Sequence, residues 1–397
     1  MRELTVKTDS KIVLLVIDGL GGLPMDPFGR TELEAAGTPN LDSLAARSDL
    51  GLSRPVAAGV SPGSGPGHLA LFGYDPIRYL VGRGVLSALG VGFELGENDL
   101  AARINFATKD SSGEISDRRA GRIPNEEAAP LVDLLNENVN LDGVETFVTH
   151  EKEHRAVVVF RGEGLSGALA DTDPQRTGLE PLPVKPTDGS PEAERSASLA
   201  NAFVEQANGV LADKHPANTV LLRGFGMHPA LPSFEEVYEL DAAAIASHPM
   251  YKGLARLAGM EVLEEGEGIA GEFEALRENW SAHDFFFVHI KATDAAGEDG
   301  DFERKSGVIE EVDARMPVVL DLGPDALAVT GDHATPARLK SHSWHGVPFL
   351  LHSPYTLPTA ESFGERPCAG GTLGVFPAEE IMGLLMGHAL KINRYGA

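Results

Sequence analysis

Three carboxylates in this chain follow directly on apolar runs. Ile12 to Ile17 ends in Asp18, and Ala326 to Thr330 ends, after Gly331, in Asp332-His333. The run reaching Ile290 leads through Lys291 to Asp294. Short apolar runs of this kind read as buried strands, and in an open α/β sheet ligands bind at the carboxyl ends of the strands. Each acid alone could simply cap a turn. Three strand ends that each deliver a carboxylate, one with an imidazole beside it, point to a metal site. Glu298, four residues past Asp294 on what reads as the same loop, is a further candidate ligand. Of His342 and His345, one could be a ligand and the other a supporting or core residue. Ser64 stands among glycines just before a helix, where free N–H groups and the helix dipole favour anions. Beside two divalent ions its hydroxyl could ionise and act as a nucleophile.

Basic residues that could hold an anion are concentrated in Asp117-Arg118-Arg119-Ala120-Gly121-Arg122, the one dense basic cluster of the chain. The planar fork of arginine suits phosphate and carboxylate. His154, Arg155, Arg223 and Lys252 are candidates of the same kind, with Asp117 as part of the cluster. His150-Glu151-Lys152-Glu153-His154 matches the metalloprotease pattern H-E-x-x-H, but that pattern requires a helix. Strand-like runs on both sides, Val144 to Val148 and Ala156 to Phe160, make it a hairpin turn instead. Gly19-Leu20-Gly21-Gly22 is no dinucleotide fingerprint, since Pro24 stands at the third glycine position, and no Walker A motif occurs.

The elements that must position these residues alternate strand and helix at both ends of the chain. Strand 12–17 precedes a helix from Thr38-Pro39 to about Arg47, with Thr38 as the expected cap. From about 251 onward helices 251–258, 271–280, 302–321 and 377–389 alternate with strands 260–263, 284–290, 326–330 and 348–352. Such alternation implies a largely parallel sheet covered by helices. Between them, strands at 101–107, 144–149, 156–160 and 219–223 and a helix at 190–213 read as a separate α+β domain. The expected organisation is a discontinuous catalytic α/β domain, 1–96 plus 244–397, interrupted by an inserted α+β domain, 97–243.

Composition narrows the class. A chain of 397 residues suggests two domains. The net charge of −26 disfavours nucleic acid as a partner, so an anionic substrate would need a local basic pocket. Cys368 is the single cysteine, which excludes an intrachain disulfide and a cysteine-based metal site and suits a reducing cytoplasm. The apolar stretch at 12–17 is too short for a signal sequence or a membrane span. A cytoplasmic enzyme without a membrane partner is the expectation.

Taken in order, these segments resemble the alkaline-phosphatase superfamily and, within it, the cofactor-independent phosphoglycerate mutases of the archaeal type. The resemblance is carried by Val16-Ile17-Asp18-Gly19, the stretch Gly63-Ser64-Gly65-Pro66-Gly67-His68 through Pro76, and Asp117 to Arg122. It continues in Asp171-Thr172-Asp173-Pro174, Lys291 to Asp294, Thr330 to His333 and His342-Ser343-Trp344-His345. It implies an alkaline-phosphatase-like sheet with an inserted domain. It also implies two divalent ions, usually Mn²⁺, with Mg²⁺, Co²⁺ or Zn²⁺ as alternatives, and no 2,3-bisphosphoglycerate. One ion would lie at Asp18, Ser64, Asp332 and His333, the other at Asp294, Glu298 and His345. Many relatives carry His where this chain has Glu298. Four carboxylates and a Ser64 alkoxide would then outweigh the charge of two divalent ions, which gives the arginines at 118, 119 and 122 a physical role. The implied activity is interconversion of 3-phosphoglycerate and 2-phosphoglycerate through phosphoserine, with the inserted domain closing to exclude water. A metal-dependent phosphatase or a phosphotransferase such as a homoserine kinase would share the metal ligands.

Overall fold

The computed structural model describes residues 2–79 and 81–396. Among them are thirteen strands: β1 (Ile12–Ile17), β2 (Asp49–Arg54), β3 (Asp99–Lys109), β4 (Ile115–Asp117), β5 (Glu145–Lys152), β6 (Arg155–Arg161), β7 (Thr219–Met227), β8 (Ala242–Ala246), β9 (Glu261–Val262), β10 (Phe285–Ile290), β11 (Ala326–Thr330), β12 (Val347–His352) and β13 (Gly374–Pro377). Residues 81–230 form one compact unit and the remaining described residues the other. The insertion therefore begins and ends earlier than 97 and 243. The helix Arg83–Gly90 packs on β3 and β7, whereas β8, which spans 243, lies in the sheet of the first unit.

The first unit is built on an eight-stranded sheet in the order β13-β2-β12-β11-β1-β10-β8-β9. β12 alone runs against its neighbours. β1 and β10 are buried along their whole length, as expected of strands covered on both faces. Alternation along β10 shows the two layers. Phe286 stacks on Trp280 at 5.3 Å, while Phe285 and Phe287 meet Phe234 and Phe72 at 5.0 Å. On the Phe286 side, Val13, Leu15 and Ile17 join Leu41, Leu44, Phe273, Ile309, Val312 and Met316 in one core.

The second unit has a five-stranded antiparallel sheet, β4-β3-β6-β5 with β7 on β3. Its core gathers Ile104, Phe106, Phe160, Phe203 and Leu222. The helix Asn125–Asn138, unread in the sequence, carries Pro130 in its interior, a residue that ordinarily argues against a helix. The helix Pro39–Ala45 forms as expected, but Thr38 makes no side-chain cap. Among the described residues no helix is long and apolar enough to cross a membrane.

Candidate active site

β1 lies between β10 and β11, with Val16 level with His289 on one side and Thr330 on the other. The residues that follow each strand therefore leave the sheet at one height. Asp18, Asp332 and His333 are all fully buried there. His333 Nε2 lies 3.1 Å from Asp332 Oδ2 and 3.5 Å from Asp18 Oδ1. It is also 3.1 Å from Ser64 Oγ.

Each of these carboxylates has one oxygen tied to the protein and one left over. Asp332 Oδ1 accepts the Gly19 N–H at 3.0 Å. Asp18 Oδ2 accepts the Tyr251 hydroxyl at 2.5 Å and lies 3.0 Å from Lys291 Nζ. Asp332 Oδ2 and Asp18 Oδ1 are buried without a hydrogen-bond partner. Burial opposes ionisation of Asp332, but the imidazoles of His333 and His68 hold its pKa well below the ordinary value. Buried carboxylate oxygens left without a hydrogen bond are costly unless a cation meets them. Asp18, Asp332 and His333 fit a divalent ion by this test, each offering one atom within 4.8 Å of the others.

A second set with the same property is Asp294, His333 and His342. Asp294 lies on the helix Ala292–Asp299, not on a loop, so Glu298 one turn later shares its face. Asp294 Oδ1 is 3.5 Å from His342 Nε2, and the rings of His333 and His342 stack at 3.6 Å. Glu298 Oε1 is 3.9 Å from His342 Nε2, at the edge of the cluster, with 57% of its side chain exposed. His345, expected as the ligand, lies outside both sets. Its Nδ1 meets Ser343 Oγ at 3.0 Å and its ring stacks on Trp344. The reason is local. Ser343 pairs with Ala334, and the Pro62 carbonyl meets His342 Nδ1 at 2.9 Å, so the segment presents His342 and turns His345 aside.

Electrostatics bind the second set. Burial opposes the charge on Asp294, but the His342 contact and the nearby Lys291 and His333 hold its pKa below the ordinary range. Burial likewise disfavours a charged His342, yet the Asp294 carboxylate and the Pro62 carbonyl raise its pKa to about 9. Lys291 Nζ bridges Asp18 Oδ2 and Asp294 Oδ2, at 3.0 and 2.5 Å.

Ser64 is the first residue of the helix Ser64–Leu71, where Gly63 supplies no side-chain cap. The helix lies hard against the end of β11. A Cβ on Gly67 would come within 2.4 Å of the Asp332 carbonyl oxygen. His68, one turn on, places Nδ1 2.9 Å from the Ser64 carbonyl and 3.3 Å from Asp332 Oδ2.

Lys291, Tyr251, His68 and His289 were not singled out as site residues from sequence. His289 had a signal, a polar residue inside the otherwise apolar run Phe285–Ile290. Tyr251 had none. Lys252, beside it, pairs with Glu265 at 2.9 Å, and no contact brings it to either ligand set.

The second unit holds the remaining candidates. Arg118 grips Asp173 through Nε and Nη2 at 2.8 and 2.7 Å. Arg223 Nη1 is 3.4 Å from the same carboxylate. Asp117 accepts the N–H groups of Arg119 and Gly121, so it shapes the turn. Residues 120–122 are all left-handed, and Arg119 and Arg122 project exposed. The stretch His150–His154 is the expected hairpin between β5 and β6. Burial, then the charge of Arg155, pushes His154 down to about 4. Arg155 Nε and Arg223 Nε are buried without a hydrogen-bond partner. Arg103, not foreseen, pairs with the buried Glu151 at 3.2 Å, and its pKa is lowered by burial with further lowering from Arg155, Arg83 and Arg223. Such a concentration of guanidinium groups in a chain of net charge −26 is a local anion-attracting field.

The chain is similar to known proteins over its whole length. A family model described as 2,3-bisphosphoglycerate-independent phosphoglycerate mutase matches residues 45–218. A Thermus thermophilus protein named a probable 2,3-bisphosphoglycerate-independent phosphoglycerate mutase is 54% identical over 402 residues, covering 100% of this chain and 98% of the relative. A Deinococcus radiodurans protein of the same name is 52% identical, covering 100% and 98%. Among solved structures, the cofactor-independent phosphoglycerate mutase of Thermoplasma acidophilum is 35% identical with a TM-score of 0.72, covering 96% of this chain and 100% of that one. A Pyrococcus horikoshii protein superposes with a TM-score of 0.83 at 29% identity, covering 98% and 99%. Identity of this order over the full length of the chain means that it belongs to the 2,3-bisphosphoglycerate-independent phosphoglycerate mutase family.

Proposed function

We propose that this chain interconverts 3-phosphoglycerate and 2-phosphoglycerate without 2,3-bisphosphoglycerate, through a phosphoserine at Ser64. The observation that carries the reading is the position of Ser64 Oγ. It sits at a helix N-terminus, 3.1 Å from His333 Nε2, beside buried carboxylate oxygens that make no hydrogen bond. Asp18, Ser64, Asp332 and His333 would hold one divalent ion and Asp294, His342 and, at its edge, Glu298 the other, Mn²⁺ being the first choice. Bound there, the ions would lower the pKa of the Ser64 hydroxyl and offset charge on the phosphoryl oxygens.

The chain's own groups account for the rest. Ser64 Oγ bonds to phosphorus as the bond from phosphorus to the substrate's O3 breaks, and the proton that Ser64 gives up is matched by one taken up at O3. Glycerate then reorients, its O2 loses a proton and bonds to phosphorus as the bond from phosphorus to the Ser64 oxygen breaks, and Ser64 Oγ takes up a proton again. Lys291, held between Asp18 and Asp294, adds positive charge beside the transferring group. Arg118, Arg119, Arg122, Arg155, Arg223 and Arg103 would recognise phosphate and carboxylate. A cytoplasmic setting suits the single cysteine.

The test is conversion of 3-phosphoglycerate to 2-phosphoglycerate, coupled to enolase, with Mn²⁺ and no bisphosphoglycerate. Activity that EDTA removes and Mn²⁺ restores is expected. Release of inorganic phosphate in place of 2-phosphoglycerate would turn the assignment to a phosphatase.

A further inference from the structure

We propose that Thr335 is a positioning residue that joins the two ligand sets and decides which nitrogen of His333 faces Ser64. The inference rests on the metal-site reading above and adds a residue to it. Thr335 Oγ1 lies 2.7 Å from Asp294 Oδ1 and 3.0 Å from His333 Nδ1. Its position is over-determined. The Thr335 N–H meets the Gly21 carbonyl at 3.0 Å, and buried Lys305 donates to the Thr335 carbonyl at 2.9 Å. A Cβ on Gly19 would come within 2.6 Å of Thr335 Oγ1, and one on Gly297 within 2.2 Å of its carbonyl oxygen. Both neighbouring segments therefore leave room for this one residue, which is itself fully buried.

Proton bookkeeping assigns the role. A hydroxyl has one proton to give, and an ionised carboxylate can only accept. Thr335 therefore donates to Asp294 and must accept from His333, which requires the proton of His333 to sit on Nδ1. In the neutral imidazole that a bound cation would require, Nε2 is then the nitrogen with the free lone pair, and Nε2 is the atom 3.1 Å from Ser64 Oγ and 3.1 Å from Asp332 Oδ2. One hydroxyl thereby orients an imidazole of the first set and a carboxylate of the second. Groups that hold metal ligands in this way tune the affinity of the whole site.

The test compares Thr335→Val, which keeps shape and loses the hydroxyl, with Thr335→Ser, which keeps the hydroxyl. Mn²⁺ binding to the full chain is followed by electron paramagnetic resonance without substrate, so the readout is independent of turnover. Thr335→Val is expected to bind Mn²⁺ about 10- to 100-fold more weakly at both sites, and Thr335→Ser to keep most of the affinity. A second readout needs no variant. In ¹⁵N-histidine-labelled protein saturated with diamagnetic Mg²⁺, His333 should show an exchange-protected Nδ1–H. Wild-type affinity in Thr335→Val, equal losses in both variants, or the absence of that protected proton would each overturn the role of Thr335. A wild-type chain that binds no Mn²⁺ would overturn the metal-site reading together with it. Failure of mutase activity alone, with binding as expected, would sink only the choice of substrate.

Discussion

Ser64 Oγ and His333 Nε2, 269 residues apart in sequence, lie 3.1 Å from one another. The contact exists because the helix bearing Ser64 abuts the end of β11, and it makes Ser64 the side chain to remove in a test of the proposed mechanism. Ser64→Ala should lower kcat at least about a thousandfold while changing stability by less than about 1 kcal/mol. Turnover measured with enolase coupling, beside a denaturant titration, checks both. Near-normal turnover in a folded variant would end the phosphoserine mechanism.

His342 and His345 separate cleanly. His342→Ala should weaken Mn²⁺ binding at least about tenfold, as expected for a group in contact with the ion or its ligands. His345→Ala should leave it unchanged, because His345 contacts Ser343 and Trp344. The reverse pattern in a binding titration would restore His345 as the ligand.

Acidity should govern metal uptake. The pKa of His342 is raised from 6.5 to about 9, and Asp294 beside it is ionised. A raised pKa contributes stability that is fully present below 6.5 and is lost as pH rises through 9. A cation must displace that proton, so metal-free protein should lose stability from pH 6.5 to 9 while Mn²⁺ affinity grows over the same range. Thermal unfolding and Mn²⁺ titrations at several pH values measure the two trends. An affinity flat across this window would contradict a protonated His342.

In the second unit the sign is opposite. Burial and Arg155 depress the pKa of His154 from 6.5 to about 4. A depressed pKa contributes stability that is present above 6.5 and lost as pH falls through 4. His154→Gln should therefore flatten the acid limb of the unfolding profile between those values. An unchanged limb would show that other groups dominate it.

The Arg103–Glu151 pair offers a test by double substitution. Glu151 is almost wholly buried, with its side chain 1% exposed, and removal of its partner leaves that charge uncompensated. Arg103→Ala should cost about 3–5 kcal/mol, and adding Glu151→Gln should recover part of it, as measured by urea denaturation. Additive losses in the double variant would show that the two side chains do not stabilise one another.

Much of the scaffold was legible because its signals are local. The runs 12–17 and 326–330 are strands with the expected bounds, since a strand buried on both faces must be apolar throughout. Their ends carry Asp18 and Asp332-His333 because ligands gather where parallel strands stop. His150 to His154 could be refused as a zinc motif for the same kind of reason, strands on both sides. Helix Asn125–Asn138 was missed because Pro130, in its interior, argues against a helix, while its packing on β5 joins segments that no local reading connects.

What the sequence by itself determined was the chemistry at hand: which strands end in carboxylates, where a serine meets a helix start, and where arginines concentrate. Only the tertiary structure decided who faces whom. It brought His342, and not His345, to Asp294 and His333, with a bridge between Ala334 and Ser343 beside them, and set Arg118 against Asp173. It made Asp117 a turn-former and brought Tyr251, Lys291 and Thr335 to the buried carboxylates. Periodicity and composition follow from burial, which each residue reports for itself. Partnership depends on register and on contacts between distant segments, which no single stretch of chain contains.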